Sequence, residues 1–286
     1  VATFFIAFGL LEDSGYLPRL AVMVNRLFRM IGLNGKAVLP MVLGLGCDTM
    51  ATLTARILET RKERLIVTLL LALGVPCSAQ LGVILGMIRS LSLGATLVWA
   101  GSVATTMLFV GWLAARLVPG QASDFILEVP PIRRPQLGNI VVKTMARIEW
   151  YLREAVPLFL LGTFILFAVD KLHLLGGIQR AAAPVVEGIL GLPPQAAEAF
   201  LIGFLRRDYG AAGLYNLSRD GLLDPVQLIV SMVTITLFVP CIANFFVMIK
   251  ERGLRTAVAM AAVIVAIALG VGGALNWALR ATGVLS

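Results

Sequence analysis

The sequence predicts an all-α fold: a polytopic bundle of transmembrane helices arranged as two related repeats that contain broken or re-entrant segments. Three observations lead there. Of 286 residues, 59% are hydrophobic and 14% charged, against about 25% charged in a soluble domain. The mean hydropathy is +0.92, and several apolar runs are long enough to cross about 30 Å of hydrocarbon. Finally, one short proline-cysteine motif recurs far along the chain.

The long apolar runs are 65–88, 93–115, 155–169 with its flanks, 226–249 and 256–279, giving five expected spans. Shorter stretches at 1–11, 37–55 and 196–217 are interrupted by Gly, Pro or charge and are expected to be half-helices or re-entrant segments. Irregular backbone at membrane depth is tolerated only where protein or a water-filled cavity satisfies its polar groups. The run at 1–11 lacks the basic n-region and small-residue cleavage site of a signal peptide. Because the chain opens inside this run at Val1, it is expected to be the C-terminal portion of a longer polypeptide.

Basic residues give orientation. Arg56, Arg61, Lys62 and Arg64 lie before the first long span, and Arg116, Arg133, Arg134, Lys143, Arg147 and Arg153 lie in the 116–154 connection. Two spans separate these groups, so both face one side, the cytoplasmic one by the positive-inside rule. Lys250, Arg252 and Arg255 join them if the 196–217 element enters and leaves by one face. Within the connection, E-V-P-P-I-R-R-P at 128–135 is stiff and extended. After it, Leu137, Val141, Met145, Ile148 and Leu152 recur at helical spacing beside Lys143, Arg147 and Arg153. That pattern fits an amphipathic helix on an anionic leaflet, or equally an extension of the next span.

The net charge of +8 belongs to these loops. No basic face carries interleaved aromatics, so nucleic acid is excluded as a partner and the lipid bilayer takes its place.

The repeat carries the chemistry. V-P-C-S-A-Q at 75–80 and V-P-C-I-A-N at 239–244 share V-P-C-x-A followed by a carboxamide, and L-G-C-D-T-M-A at 45–51 is a looser third copy. Asp13 precedes Cys47 by nearly the interval at which Asp208 precedes Cys241, which marks 1–90 and 195–286 as related units with connecting helices at 91–194. Repeats meeting at interrupted helices are a common transporter plan. Pro76 and Pro240 remove a backbone donor and break their helices beside Cys77 and Cys241. Gly44 and Gly46 loosen the chain before Cys47 in the same way.

Each cysteine alone reads equally well as a small buried hydrophobe at a kink. Their shared setting favours convergence into a soft metal site, with Asp48, Gln80 and Asn244 as polar neighbours. An odd number of cysteines leaves no complete disulfide set. A bound divalent cation would deprotonate the thiols on arrival, so proton release would accompany metal entry. Asp48 is either a charged pathway group or a helix cap. Glu12, Asp13 and Asp208 either draw cations toward the pathway or pair with Arg19, Arg206 or Arg207.

Other motifs carry little. His173 is the only histidine, which rules out a His-rich cage or proton relay. G-L-N-G-K-A at 32–37 lacks the spacing and hydroxyl of a phosphate loop. No nucleophile-elbow, zincin or dinucleotide pattern is present, so enzymatic catalysis is not expected.

Taken together, L-L-E-D-S-G-Y-L-P-R, the G-L-G-C segment running through T-A-R-I-L-E-T-R-K-E-R-L, E-V-P-P-I-R-R-P, G-F-L-R-R-D-Y-G-A-A-G-L and the late V-P-C resemble the membrane domain of the ferrous iron transport protein B family, in order along nearly the whole chain. The resemblance implies a multi-pass protein of the bacterial inner membrane with two gate-type repeats. It implies Fe2+ as transported substrate rather than bound cofactor, with Cys47, Cys77 and Cys241 on the pathway. It also implies a GTP-binding domain, in the same polypeptide or supplied in trans, since no nucleotide-binding motif lies within 1–286. Assembly into a homo-oligomer is left open. One departure bears on metal choice: where the family often has G-C-N-V-P, this chain has Gly46-Cys47-Asp48-Thr49-Met50.

The expected function is therefore passage of ferrous iron between the repeats. Its rivals are a transporter of a small organic solute such as a nucleoside, which calls for aromatic and amide side chains around a cavity, and a non-transporting scaffold, which calls for a closely packed interface without a polar cavity.

Overall fold

The computed structural model describes residues 2–88, 93–120, 135–171, 183–238 and 240–282. Most of the proline-rich 128–135 stretch, and His173, lie outside these residues. Among the described residues the chain is helical throughout, without strands.

The helices are α1 (Ala2–Asp13), α2 (Tyr16–Met30), α3 (Val38–Gly44), α4 (Asp48–Thr54), α5 (Arg61–Gly74), α6 (Ser78–Ile88) and α7 (Leu93–Leu117), then α8 (Leu137–Lys171), α9 (Ala183–Leu190), α10 (Gln195–Leu205), α11 (Arg207–Arg219), α12 (Pro225–Leu237), α13 (Ile242–Arg252) and α14 (Leu254–Thr282). One order recurs. A bent pair (α2 with 35–44 at 110°, α9 with α10 at 108°) leads to a half-helix, then to a long span broken at its proline, then to an outer helix.

Local signals set these elements. α5 opens with a capping box, Glu63 N donating to Thr60 Oγ1 at 3.2 Å and Thr60 N to Glu63 Oε2 at 3.4 Å. Its counterpart α12 opens on Asp224 and Gln227 with Pro225 in its first turn. Both helices then run apolar until the V-P-C motif stops them.

Among the described residues, four segments are long and apolar enough to cross a membrane: Arg61–Ile88, Leu93–Leu117, Pro225–Arg252 and Leu254–Ala281, or up to six if each bent pair is one span. The expected 155–169 span lies inside α8, which runs unbroken from the predicted amphipathic segment, so extension rather than a surface helix is what forms. From Ala2 on, the stretch expected at 1–11 belongs to an uninterrupted helix, whereas 37–55 and 196–217 are broken as expected.

α8 turns its apolar stripe away from the bundle. Leu137, Val141, Met145 and Leu152 are exposed, while Ile140 and Thr144 are buried. Lys143 and Arg147 lean onto Glu12 of α1 at 3.3 and 2.5 Å. In lipid the apolar face points outward and ionisable groups turn inward to pair.

The basic stretches meet at one end of the bundle. Arg56 forms a two-pronged bond with Glu251, Arg252 reaches Thr68 Oγ1, and Lys62 Nζ donates to Gly120 O at 3.1 Å. The start of the α5–α6 span thus sits beside the end of the α12–α13 span, and the two run in opposite directions. This is the arrangement of inverted repeats.

α10 and α11 fold back on each other as a tight hairpin. A Cβ on Gly210 would lie 2.5 Å from Gly203 Cα and 2.7 Å from Ala199 O, so only glycine permits the approach. The 196–217 element therefore enters and leaves by one face.

Candidate functional site: a cavity at four helix breaks

Four interruptions meet at one place, and each is followed by a half-helix whose first carbonyl is already engaged. Ala51 N donates to Cys47 O at 3.0 Å, Leu81 N to Cys77 O at 2.8 Å, Gly210 N to Arg206 O at 3.2 Å and Phe245 N to Cys241 O at 2.9 Å. All three cysteines are thus N-caps, and Arg206 holds the fourth such position. Cys47 (φ −159°, ψ 112°) and Arg206 (φ −142°, ψ 114°) share the same extended backbone.

Between these breaks lies a cavity of about 360 Å³ bordered by Cys47, Asp48, Cys77, Arg207, Asp208 and Cys241, among others. All three thiols are free and partly accessible. Among the described residues no three His, Cys, Asp or Glu side chains stand close enough together to hold one metal ion. The cysteines border a common space without forming a closed cage.

Asp48 is the first residue of α4, not its cap. Its Oδ2 accepts from Arg207 Nη1 at 2.9 Å, and both side chains are only 3% exposed. Arg207 also donates to Val75 O at 3.1 Å, Phe238 O at 3.2 Å and the carbonyl of Ala72. Ala72 lies four residues before Pro76, so its carbonyl is the one the proline leaves without a helical donor. One guanidinium therefore seals the ends of α5 and α12 and ties α11 to α4.

The other expected residues divide. Asp208 borders the cavity, but its partner is Arg206, at 3.1 and 2.6 Å. Gln80 and Asn244 do not line it. Gln80 Nε2 donates to Ile235 O at 3.0 Å and Asn244 Oδ1 accepts from Thr52 Oγ1 at 2.9 Å, so each carboxamide pins a half-helix to the opposite repeat. Glu12 and Asp13 lie away from the cavity, at the α1–α8 contact, where Asp13 Oδ2 accepts from Gln136 N at 2.8 Å. Both carboxylates serve that contact because α8 brings its donors there. Pro76 borders a separate apolar cavity, and Pro240 is buried at its break.

Arg207 is expected from the sequence only as one possible partner for the acids Glu12, Asp13 and Asp208, and its pairing with Asp48 in the cavity wall is not anticipated there. The signal available was an Arg-Arg pair inside an otherwise apolar stretch.

Comparisons with known proteins fit this geometry. The Gate family model, described as nucleoside recognition, matches residues 1–91 and 152–255, and the model for the ferrous iron transport protein B C terminus matches 96–147. The Fe(2+) transporter FeoB of Staphylococcus aureus (strain COL) is 26% identical over 284 residues, covering 88% of this chain and 42% of the relative. That of Legionella pneumophila (strain Lens) is 30% identical over 188 residues, covering 64% and 25%. The chain thus spans less than half the length of the curated relatives it matches. No solved structure matches it. A multi-pass helical chain with paired broken spans, matched along its length by these two models, belongs to the ferrous iron transport protein B family as its membrane gate domain.

Proposed function

We propose that this chain carries ferrous iron across the bacterial inner membrane through the cavity between its two repeats, with Cys47, Cys77 and Cys241 as successive ligands. The observation that carries the reading is that three thiols, from three separate breaks, border one space that the charged side chains of Asp48, Arg207 and Asp208 also border. Thiolate suits borderline and soft cations better than Mg2+ or Ca2+. Spacing the sulfurs around a cavity lets an ion be handed on instead of trapped, since transport needs binding weak enough to release. The names of the relatives support ferrous iron as the ion.

Gating is assigned to the broken helices, moved by a GTP-binding domain in the same polypeptide or in trans. The half-helices are joined to their partners at single extended residues such as Arg206, which can absorb a hinge motion.

The lining also weighs against an organic solute. Among its described residues are no aromatic rings and no carboxamides to stack or read a base. A scaffold has no use for such a cavity.

Replacing Cys47 and Cys241 by serine tests the proposal. Anaerobic ferrous iron uptake by cells relying on this transporter is expected to fall at least tenfold at normal membrane expression. Uptake at the original rate removes the thiols from the pathway.

A further inference from the structure

A buried guanidinium marks where a positive charge is welcome, and oxygens from three segments face Arg207. Among the described residues its acceptors include Asp48 Oδ2 at 2.9 Å, Val75 O at 3.1 Å, Phe238 O at 3.2 Å and the Ala72 carbonyl. Two of the carbonyls come from the C-terminal end of α5 and one from that of α12, where the helix dipole is negative. Asp48 Oδ1 adds a further oxygen that is buried and has no hydrogen-bond partner. A carboxylate with several carbonyls is the ligand set of oxygen-preferring divalent cations, and no thiol belongs to it.

We propose that this oxygen cradle is a second, thiol-independent cation site, held by the Arg207 guanidinium in the structure described and taken by a divalent cation when Arg207 withdraws. The site rests on the reading of the cavity as a cation pathway. Arg207 is then a tethered occupant: it keeps the carbonyls satisfied and the two repeats joined while no ion is present, and it must swing toward the cavity it borders for an ion to pass. The acid at Asp48 supplies the charge that both occupants need.

Mn2+ is the probe, because it favours carboxylate and carbonyl ligands and its free ion is read directly by electron paramagnetic resonance. The assay uses purified protein in which all three cysteines are serine. This parent is expected to bind no Mn2+ at micromolar concentrations. Arg207→Gln is expected to bind one Mn2+ per chain, and adding Asp48→Asn should weaken that binding at least tenfold. A folded Arg207→Gln protein that binds no Mn2+, or binding unchanged by Asp48→Asn, overturns the proposal.

If Arg207→Gln is too unstable for the binding assay, its thermal stability is read in solubilised membranes without purification. Mn2+ should then raise the melting temperature of Arg207→Gln by several degrees, and no rise overturns the proposal equally. Because the thiols are absent throughout, failure here is separate from failure of thiol-dependent iron uptake.

Discussion

Asp48 and Arg207 occupy the same place in the two repeats, each the first residue of the half-helix after a break, and they bond to each other at 2.9 Å across the repeat interface. Removing one partner of such a pair leaves an uncompensated buried charge, which costs about 3–5 kcal/mol. Arg207→Met is expected to lose that much stability in denaturant unfolding of the purified protein. The double variant Asp48→Leu, Arg207→Met should recover more than half of it, because no charge is then stranded.

The hairpin of α10 and α11 makes a sharper local prediction. Gly210→Ala would place a methyl group 2.5 Å from backbone, and the helices must part, at a cost of about 1–3 kcal/mol. Gly82→Ala, in α6, meets nothing within 4 Å. It should be neutral or stabilise by up to about 1 kcal/mol through helix propensity. Paired thermal melts of the two variants check the contrast.

Glu12 separates a structural carboxylate from a transport one. It holds Lys143 and Arg147 of α8 and stands away from the cavity. Glu12→Gln is expected to loosen α1 from α8, seen as faster proteolysis at the N-terminal end, while the half-saturating concentration for iron uptake stays within twofold. A large shift in that concentration would return Glu12 to the pathway.

The two carboxamides are predicted to act on assembly of the repeats. Gln80→Leu removes the donor to Ile235 O and Asn244→Leu removes the acceptor for Thr52 Oγ1. Each should cost about 1–3 kcal/mol, because a buried group on the other repeat is left unpaired. Equilibrium unfolding reads the loss, and metal affinity of the folded protein should not change.

Much of this architecture is legible in the residues, and what is not has physical causes. Pro76, Pro240 and the Gly44–Gly46 stretch announce the breaks, since proline and glycine act on the backbone wherever they fall. The thiols lie at those breaks by sequence neighbourhood alone. The equivalence of Asp48 and Arg207 is hidden because paired residues of opposite charge share no similarity. The nearly equal intervals from Asp13 and Asp208 mislead in turn: Asp13 ends α1 and Asp208 is inside α11. On α8 the apolar stripe of Val141 and Met145 fits a surface helix and an extended span alike, and only the continuity of the helix from Leu137 to Lys171 decides for extension. Which oxygens hold Arg207 depends on contacts between distant segments that no local pattern encodes.

Whether Cys47, Cys77 and Cys241 meet the ion is tested most directly by protection of the thiols in native membranes. Membranes are treated anaerobically with a small maleimide, with and without Fe2+, and labelling at each cysteine is read by mass spectrometry. The account predicts that Fe2+ slows labelling at all three sites with one concentration dependence, while Mg2+ does not. Labelling that ignores Fe2+, or that Mg2+ blocks equally well, would contradict it.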